Sequence, residues 1–439
     1  MTPNPNINKL VVVGVFAAAL IPRVAVPLIH GPAPLIAEMN GYWDAAGGLA
    51  AAKGFNAGHG FRAFLPPGYP AFLAVIRAAG GTPVAARVVQ GIVGALTAVV
   101  TYLYARRLFG DKVAAAAAFA FALWPMGVAM GDFILSETTF TFLLLLGVWA
   151  LGAGDRWRNV VGAAVVWGAA AYFREYTLYF FPALILCNVL TKNYKLTGKS
   201  VVGAFIVAAC IAPWTVRNAV VLRGFVPVTT KSNVDFFLYN HNNIWQIINN
   251  ESDQPSELQL FRDAPSELEL SRLARERAFA WIIAHPALLL FRGLRTEANF
   301  VGLERDFVQH YQWRYYEPMP KPVLMAAACA TVLPTVIALP LAFVGFLRFG
   351  RRDTALPAIV IVLVYVGIAF ATYSYSRHRY PLTPLLITFA VATLTSPGDT
   401  WHCLWSRRVA AYATALFLAF LVVAWTSEIV LEWRQLAAL

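Results

Sequence analysis

Apolar residues run along this chain in stretches of about twenty, the length that crosses the hydrocarbon core of a bilayer. Bounded by charged or turn-forming residues, the stretches cover 10–29, 84–108, 113–130, 133–152, 160–190, 201–222, 323–347, 355–373, 381–394 and 409–430. The stretch 160–190 is long for one span and short for two, and Arg174, Glu175 and Pro182 interrupt it. It reads as a hairpin of two short or tilted helices with Arg174 and Glu175 at the tip. The fold class expected is an all-α polytopic membrane protein, a bundle of about 11 transmembrane helices.

Two connections exceed what a turn needs and are expected to be functional. The chain then divides into a first span (1–29), a first long connection (30–83), helices 2–7 (84–222), a second long connection (223–322) and helices 8–11 (323–439). In the first connection Glu38, Tyr42, Ala46 and Leu49 recur at helical spacing within 35–53, and a second helix follows the Pro-Pro-Gly turn over 66–79. The second connection opens as a polar coil over 229–254. It continues as an amphipathic helix over 256–284, where Leu258, Phe261, Leu268, Leu273 and Phe279 alternate with charges, suited to a membrane surface.

Composition sharpens this picture. Hydrophobic residues make up 59% of the 439 and charged residues 13%, which excludes both a soluble globular domain and a disordered chain. The excess of 35 Lys and Arg over 23 Asp and Glu sits in five clusters: Arg106/Arg107/Lys112, Arg156/Arg158, Lys192/Lys195/Lys199, Arg348/Arg351/Arg352 and Arg407/Arg408. Short basic loops stay in the cytoplasm, and all five share one side only if 160–190 crosses twice. That parity puts the N-terminus inside, as a retained anchor and not a cleaved signal, and both long connections outside. The expected location is a bacterial inner membrane with the site facing the periplasm. The partner implied is a membrane and not nucleic acid. Cys187, Cys210, Cys329 and Cys403 form no CxxC or metal-ligand spacing, so no disulfide framework or metal centre is expected.

Ionisable residues at helix ends on the outer side are the candidates for chemistry. Glu38 and Asp44 lie six residues apart, about 240° around a helix, so only one points to any given centre. Glu38 shares a face with Tyr42 and Ala46, Asp44 with Gly41 and Gly48. Asp132 and Glu137 flank the next outer helix start. Asp132 also suits an interfacial loop charge, and Glu137 a pairing with the helix dipole. Arg62, Arg174, Arg217, Arg377 and Arg379 gather at the same level. A guanidinium matches phosphate oxygens in a planar fork, whereas a lone arginine there often only reaches for lipid headgroups.

These residues, taken in order, resemble a family. Glu38-x-x-x-Tyr42-x-x-x-Ala46, Gly54-Phe55 and Pro66-Pro67-Gly68-Tyr69-Pro70 are similar to the first outer loop of GT-C membrane glycosyltransferases of the protein O-mannosyltransferase and lipid A aminoarabinose transferase type. Ser136-Glu137, Arg174, Pro213-Trp214-x-x-Arg217-Asn218, Ile282-x-x-His285-Pro286 and Arg379-Tyr380-x-Leu382-x-Pro384 extend the resemblance over nearly the whole chain. It implies inverting transfer of a hexosyl or pentosyl group from a polyprenyl-phosphate donor to an acceptor hydroxyl on a lipid, glycan or protein; a monophosphate leaving group needs a metal less than a diphosphate would, so no metal and no cofactor are expected. The family has Asp where this chain has Glu38, which leaves Glu38 and Asp44 both open as the base. The arginines are expected to hold the donor phosphate, and Tyr42, Tyr69, Asn218 and His378 to bind substrate. Two rivals share the outer arginines: a lipid-linked-sugar transporter or flippase, which would place ionisable groups near the midplane, and a polymerase or ligase using lipid-diphosphate donors.

The topology is testable with reporter fusions. Fusions at Lys195 and Arg351 should read cytoplasmic and those at Gln254 and Leu439 exterior; a cytoplasmic Gln254 contradicts the assignment.

Overall fold

The computed structural model describes residues 8–36, 38–56, 60–154, 156–241, 254–304, 310–311, 315–350, 354–372, 374–398 and 408–437, the backbone alone for 254–258 and 431–437. Arg351, Arg352, Arg407, Cys403 and the part of the expected coil at 242–253 lie outside these residues. Among the described residues there is no β-strand. The helices are α1 (Lys9–His30), α2 (Glu38–Ala50), α3 (Gly68–Ala78), α4 (Pro83–Phe109), α5 (Asp111–Ala122), α6 (Pro125–Asp132), α7 (Glu137–Leu151), α8 (Trp157–Ala171), α9 (Phe180–Leu190) and α10 (Tyr194–Leu222). After them come α11 (Lys231–Leu238), α12 (Gln254–Asp263), α13 (Glu267–Ala284), α14 (Pro286–Phe300), α15 (Lys321–Phe349), α16 (Leu356–Ala371), α17 (Thr383–Leu394) and α18 (Arg408–Ala437). Short 3₁₀ helices at Glu175–Tyr179 and Ser376–Leu382 precede α9 and α17.

Five of these helices are long and apolar enough to cross a membrane: α1, α4, α10, α15 and Arg408–Val430 of α18. The bent pairs α5/α6 (47°) and α13/α14 (110°) raise the number to seven at most. α7, Glu175–Leu190 and α16 are shorter apolar helices. The stretch 160–190 is interrupted at Tyr172–Arg174, where the tip was expected.

α4 is the central strut. Thr82 caps its start by accepting the Ala85 N–H, Pro83 fills the first turn where no donor is needed, and Gly110 ends it at φ 83°. It packs against α1, α5 and α7, while α17 lies between α15 and α5. The apolar stretch 113–130 is broken at Leu123–Trp124 by Pro125, which has no N–H to give Phe121 O: that carbonyl keeps a 3.2 Å bond from Trp124 N–H, and Ala122 O has no backbone donor across the break. Arg23, fully buried in the middle of α1, reaches both carbonyls: its Nη2 donates to Phe121 O at 3.1 Å, and its Nη1 donates to Ala122 O and to Ala19 O (3.1 Å). Room for that side chain requires glycine around it. A Cβ at Gly94 would lie 2.8 Å from Arg23 Cδ, and one at Gly127 2.9 Å from Nη2.

The second long connection departs most from its sequence reading. The stretch read as a coil contains α11, and the single surface helix over 256–284 is two helices, α12 and α13, parted at Ala264–Ser266 where Pro265 stands. Pro286 then starts α14, which turns through 110° and packs on α16 and α18. Val234, Phe237, Leu260, Leu270, Ala274 and Ala278 form a separate apolar core that joins α11 and α12 to α13.

Arg23→Met keeps the volume but leaves the buried Ala122 carbonyl unsatisfied, and should cost about 1–3 kcal/mol. Thermal unfolding of the purified protein checks this; an unchanged midpoint would show that the α5/α6 break does not depend on Arg23.

Candidate active site

A cavity of ≈ 530 Å³ opens between α2, the hairpin tip, the start of α11, the end of α16 and the 3₁₀ turn Ser376–Leu382. One wall is charged, with Glu38, Arg174, Glu175, Lys231, Asp235 and Arg377, and beside it stand Tyr42, Ser136 and His378. The other wall is apolar, built from Val364, Gly367, Ile368 and Ala371 of α16 with Phe236 and Phe173.

Glu38, in the first turn of α2, is held on both oxygens. Lys231 Nζ donates to Oε1 at 3.0 Å, and Arg377 Nη2 donates to Oε2 at 3.2 Å. These two cations, Lys231 foremost, hold its carboxyl well below the usual range against the opposing effect of burial. Glu137, buried at the start of α7, pairs with Arg174 Nη2 at 2.7 Å and lies 4.0 Å from Arg377 Nε. Arg174 Nε also donates to Ser136 Oγ at 3.3 Å. Arg377 thus stands between the two carboxylates. His378 is buried, and burial together with Arg377 and Arg174 pushes its imidazole well below its ordinary pKa, so it is neutral at pH 7.

The position of Lys231 is fixed from both long connections. Glu267, at the start of α13, accepts the backbone N–H groups of Arg62 (2.6 Å) and Ala63 (2.9 Å) and the Thr230 hydroxyl (2.7 Å). Thr230 N–H donates to Ala63 O at 2.9 Å. Glu175 accepts the Thr229 N–H at 2.8 Å and the Ser232 hydroxyl. One carboxylate therefore ties the two connections together, and a second ties α11 to the hairpin tip.

Sequence reasoning missed Lys231, Glu175 and Asp235 as cavity residues. The signal for Lys231 was faint: Thr229-Thr230 ahead of Val234 and Phe237, a helix start inside an otherwise polar stretch.

Of the acids singled out, the structure brings Glu38 and Glu137 to one cation cluster. Asp44 is exposed and lies outside the cavity lining. Asp132 is buried elsewhere: its Oδ2 lies 2.7 Å from His30 Nδ1 and its Oδ1 3.6 Å from Arg87, and its backbone carbonyl accepts the Tyr315 hydroxyl at 2.6 Å.

Of the arginines, Arg174 and Arg377 line the cavity. Arg379 is buried against the end of α14, donating to the carbonyls of Phe300 and Gly302 (3.1 Å) and to Glu304 (2.8 Å). Arg217 donates to Arg62 O at 2.6 Å and lies over Trp214, 4.5 Å from the ring centroid, and Arg62 is exposed beside a different groove. Of the five arginines expected at one site, two line this cavity with Lys231, and Arg62, Arg217 and Arg379 do not.

Tyr42 lines the cavity. Tyr69 is buried behind it, edge-on at 5.0 Å, with its hydroxyl on Gln90. Asn218 is spent on Val226 O (3.1 Å) and Val228 O (3.2 Å). Among the described residues no three His, Cys, Asp or Glu side chains gather as a metal site.

Comparison with known proteins adds the following. Residues 65–216 match the family described as dolichyl-phosphate-mannose-protein mannosyltransferase. No curated protein matches the chain. Among solved structures, the archaeal oligosaccharyltransferase AglB from Archaeoglobus fulgidus, in complex with an inhibitory peptide and a dolichol-phosphate, is 13% identical with a TM-score of 0.53, over 95% of this chain and 54% of that one. The same organism's oligosaccharyltransferase in complex with Zn and sulfate gives 14% and 0.53, over 94% and 52%. ArnT from Cupriavidus metallidurans bound to undecaprenyl phosphate is 15% identical with a TM-score of 0.43, over 89% and 79%. This chain spans about half the length of the oligosaccharyltransferase. Residues 65–216 thus resemble that family, and the helical bundle has the fold of the archaeal oligosaccharyltransferase.

Proposed function

We propose that the protein transfers a sugar from a polyprenyl monophosphate to an acceptor hydroxyl, with inversion, on the outer face of a bacterial inner membrane. The observation that carries this reading is the cavity itself: the Glu38 carboxylate held by Lys231 and Arg377, with Arg174 on Glu137 beside them and an apolar wall alongside. Glu38 takes the acceptor proton as the oxygen attacks the anomeric carbon. The anomeric bond to phosphate breaks in line, and the electron pair leaves with the lipid phosphate.

A leaving phosphate needs countercharge more than a proton, and guanidinium and ammonium groups supply it in a fixed, partly dry setting. The α16 face of Val364, Gly367, Ile368 and Ala371 suits the first isoprene units of the donor. The Archaeoglobus fulgidus oligosaccharyltransferase was solved with Zn and sulfate, but the carboxylates here do not fit a metal. Both Glu38 oxygens face cations, and Glu137 is paired with Arg174. We therefore assign the countercharge to the three side chains and derive no step through a metal.

Glu38→Gln should lower transfer from a polyprenyl-phosphate sugar by roughly two to four orders of magnitude, the usual worth of acid–base catalysis. Near-parental turnover would remove Glu38 from the chemistry. Arg377→Ala should weaken binding of undecaprenyl phosphate by about 1.5–3 kcal/mol, the range for hydrogen bonds to charged groups; unchanged binding would place the phosphate elsewhere.

The pH dependence follows from the sign of the Glu38 shift. Its folded pKa is depressed, so the carboxylate and its stabilising pairs persist above the unfolded value and are lost only as pH falls through the folded one. Donor kcat/KM should therefore stay flat down to about pH 5, and a single protonation near pH 6 that weakens it would contradict this environment for Glu38.

A further inference from the structure

The proposed reaction moves one negative charge. Glu38 begins as a carboxylate and ends protonated, while the donor phosphodiester, with one charge, becomes a phosphomonoester with two. A cation resting on the base through this step would resist it, since it favours the form of Glu38 that the step consumes. The same cation on the phosphate would favour the form being made. Lys231 rests on Glu38 at 3.0 Å and lines the cavity in which the phosphate is proposed to lie.

Resting on the donor reading above, we propose that Lys231 is a positioning residue shared in turn by the base and the leaving group: the Glu38 carboxylate occupies the phosphate's cation cradle in the free enzyme, and donor phosphate draws Lys231 off Glu38, releasing the base only when a donor is in place.

Three features support this. Lys231 carries its charge on a flexible four-carbon stem, suited to moving between two nearby anions where a guanidinium fork would be fixed. Its backbone does not need to move, because Thr229, Thr230 and Ser232 around it are pinned by Glu175 and Glu267. Arg174 stays with Glu137 at 2.7 Å, so the cradle keeps a fixed cation while Lys231 is exchanged. The charged and titratable groups facing Glu38 are Lys231 from α11, Arg377 and His378 from the 3₁₀ turn, Arg174 from the 172–174 break and the Tyr42 hydroxyl on its own helix. Asp235 lies 4.0 Å from Lys231 and Glu137 4.0 Å from Arg377. Of the cations, Lys231 and Arg377 are paired with the base itself.

Competition gives a signature that a purely structural ion pair does not. With the full chain in nanodiscs and undecaprenyl phosphate as the probe, Glu38→Gln should bind more tightly than the parent, by about tenfold, because the competing carboxylate is gone. Lys231→Met should bind about tenfold more weakly, and in the Lys231→Met background the gain from Glu38→Gln should shrink. Glu38→Asp, whose shorter arm loosens both contacts, should tighten binding by a smaller factor and serves if Glu38→Gln does not fold. In the parent, the acid limb of kcat should lie at higher pH than that of kcat/KM, because donor raises the basicity of Glu38 only in the complex. Equal or weaker binding by both Glu38 variants, or coincident acid limbs, would overturn the exchange. A parent that binds no undecaprenyl phosphate would instead overturn the donor reading on which it rests.

Discussion

Backbone carbonyls that lose their helical donors inside an apolar bundle must find other donors, and in this protein buried arginines provide them. Arg23 serves the break after α5, and Arg292 serves the end of α16, donating to Phe370 (2.8 Å), Ala371 (3.1 Å) and Thr372. Arg379 does the same for α14. Each guanidinium offers five donors to a cluster of carbonyls that water cannot reach, and each joins elements far apart in sequence. Short and broken helices are what give a membrane bundle room for a cavity. Without these arginines, carbonyls at the α5/α6 break and at the ends of α14 and α16 would lose those donors.

This constraint also decides which charges are left for chemistry. Arg379 follows the cavity residue His378 in sequence and Arg292 reaches the cavity residues Ala371 and Thr372, yet Arg292 donates to backbone carbonyls and Arg379 to backbone carbonyls and Glu304. Arg174 and Arg377 pair with the carboxylates Glu137 and Glu38 at the cavity, and Lys231 joins them from α11. The result is a compact set of like-numbered positive and negative groups around Glu38 and Glu137, in which a new anion can be accepted only by rearranging existing pairs. Glu267 and Glu175 contribute at one remove, by fixing the two long connections against each other so that α2 and α11 face across the cavity.

Much of this was legible in the sequence. The apolar stretches gave the membrane class because their length and lack of charge leave few other structures open, and the break beside Arg174 was visible as a charged pair inside an overlong run. Pro125, Pro265 and Pro286 each mark a real break, although a hydropathy reading passes over them and so merged α5 with α6 and α12 with α13. The acids were half legible: the Tyr42 spacing pointed to Glu38, while Asp132 resembled a site acid until the fold paired it with His30 and Arg87. The arginines were the weakest part. Position at a helix end does not tell whether a guanidinium meets water, phosphate or carbonyls, and for Arg379 the answer lies 79 residues away at Phe300. Lys231 was hidden because its partner Glu38 is 193 residues distant and nothing local marks the pair.

The central claim is that one phosphate is accepted between Lys231, Arg174 and Arg377, with Glu38 beside it. Cryo-electron microscopy of the full chain in nanodiscs with undecaprenyl phosphate tests it most directly. The account predicts phosphate density within hydrogen-bond reach of Arg174, Arg377 and Lys231, with the lipid leaving along Val364, Ile368 and Ala371 of α16. Density beside Arg62 and Arg217 in the groove near α13, with Lys231 still on Glu38, would contradict it.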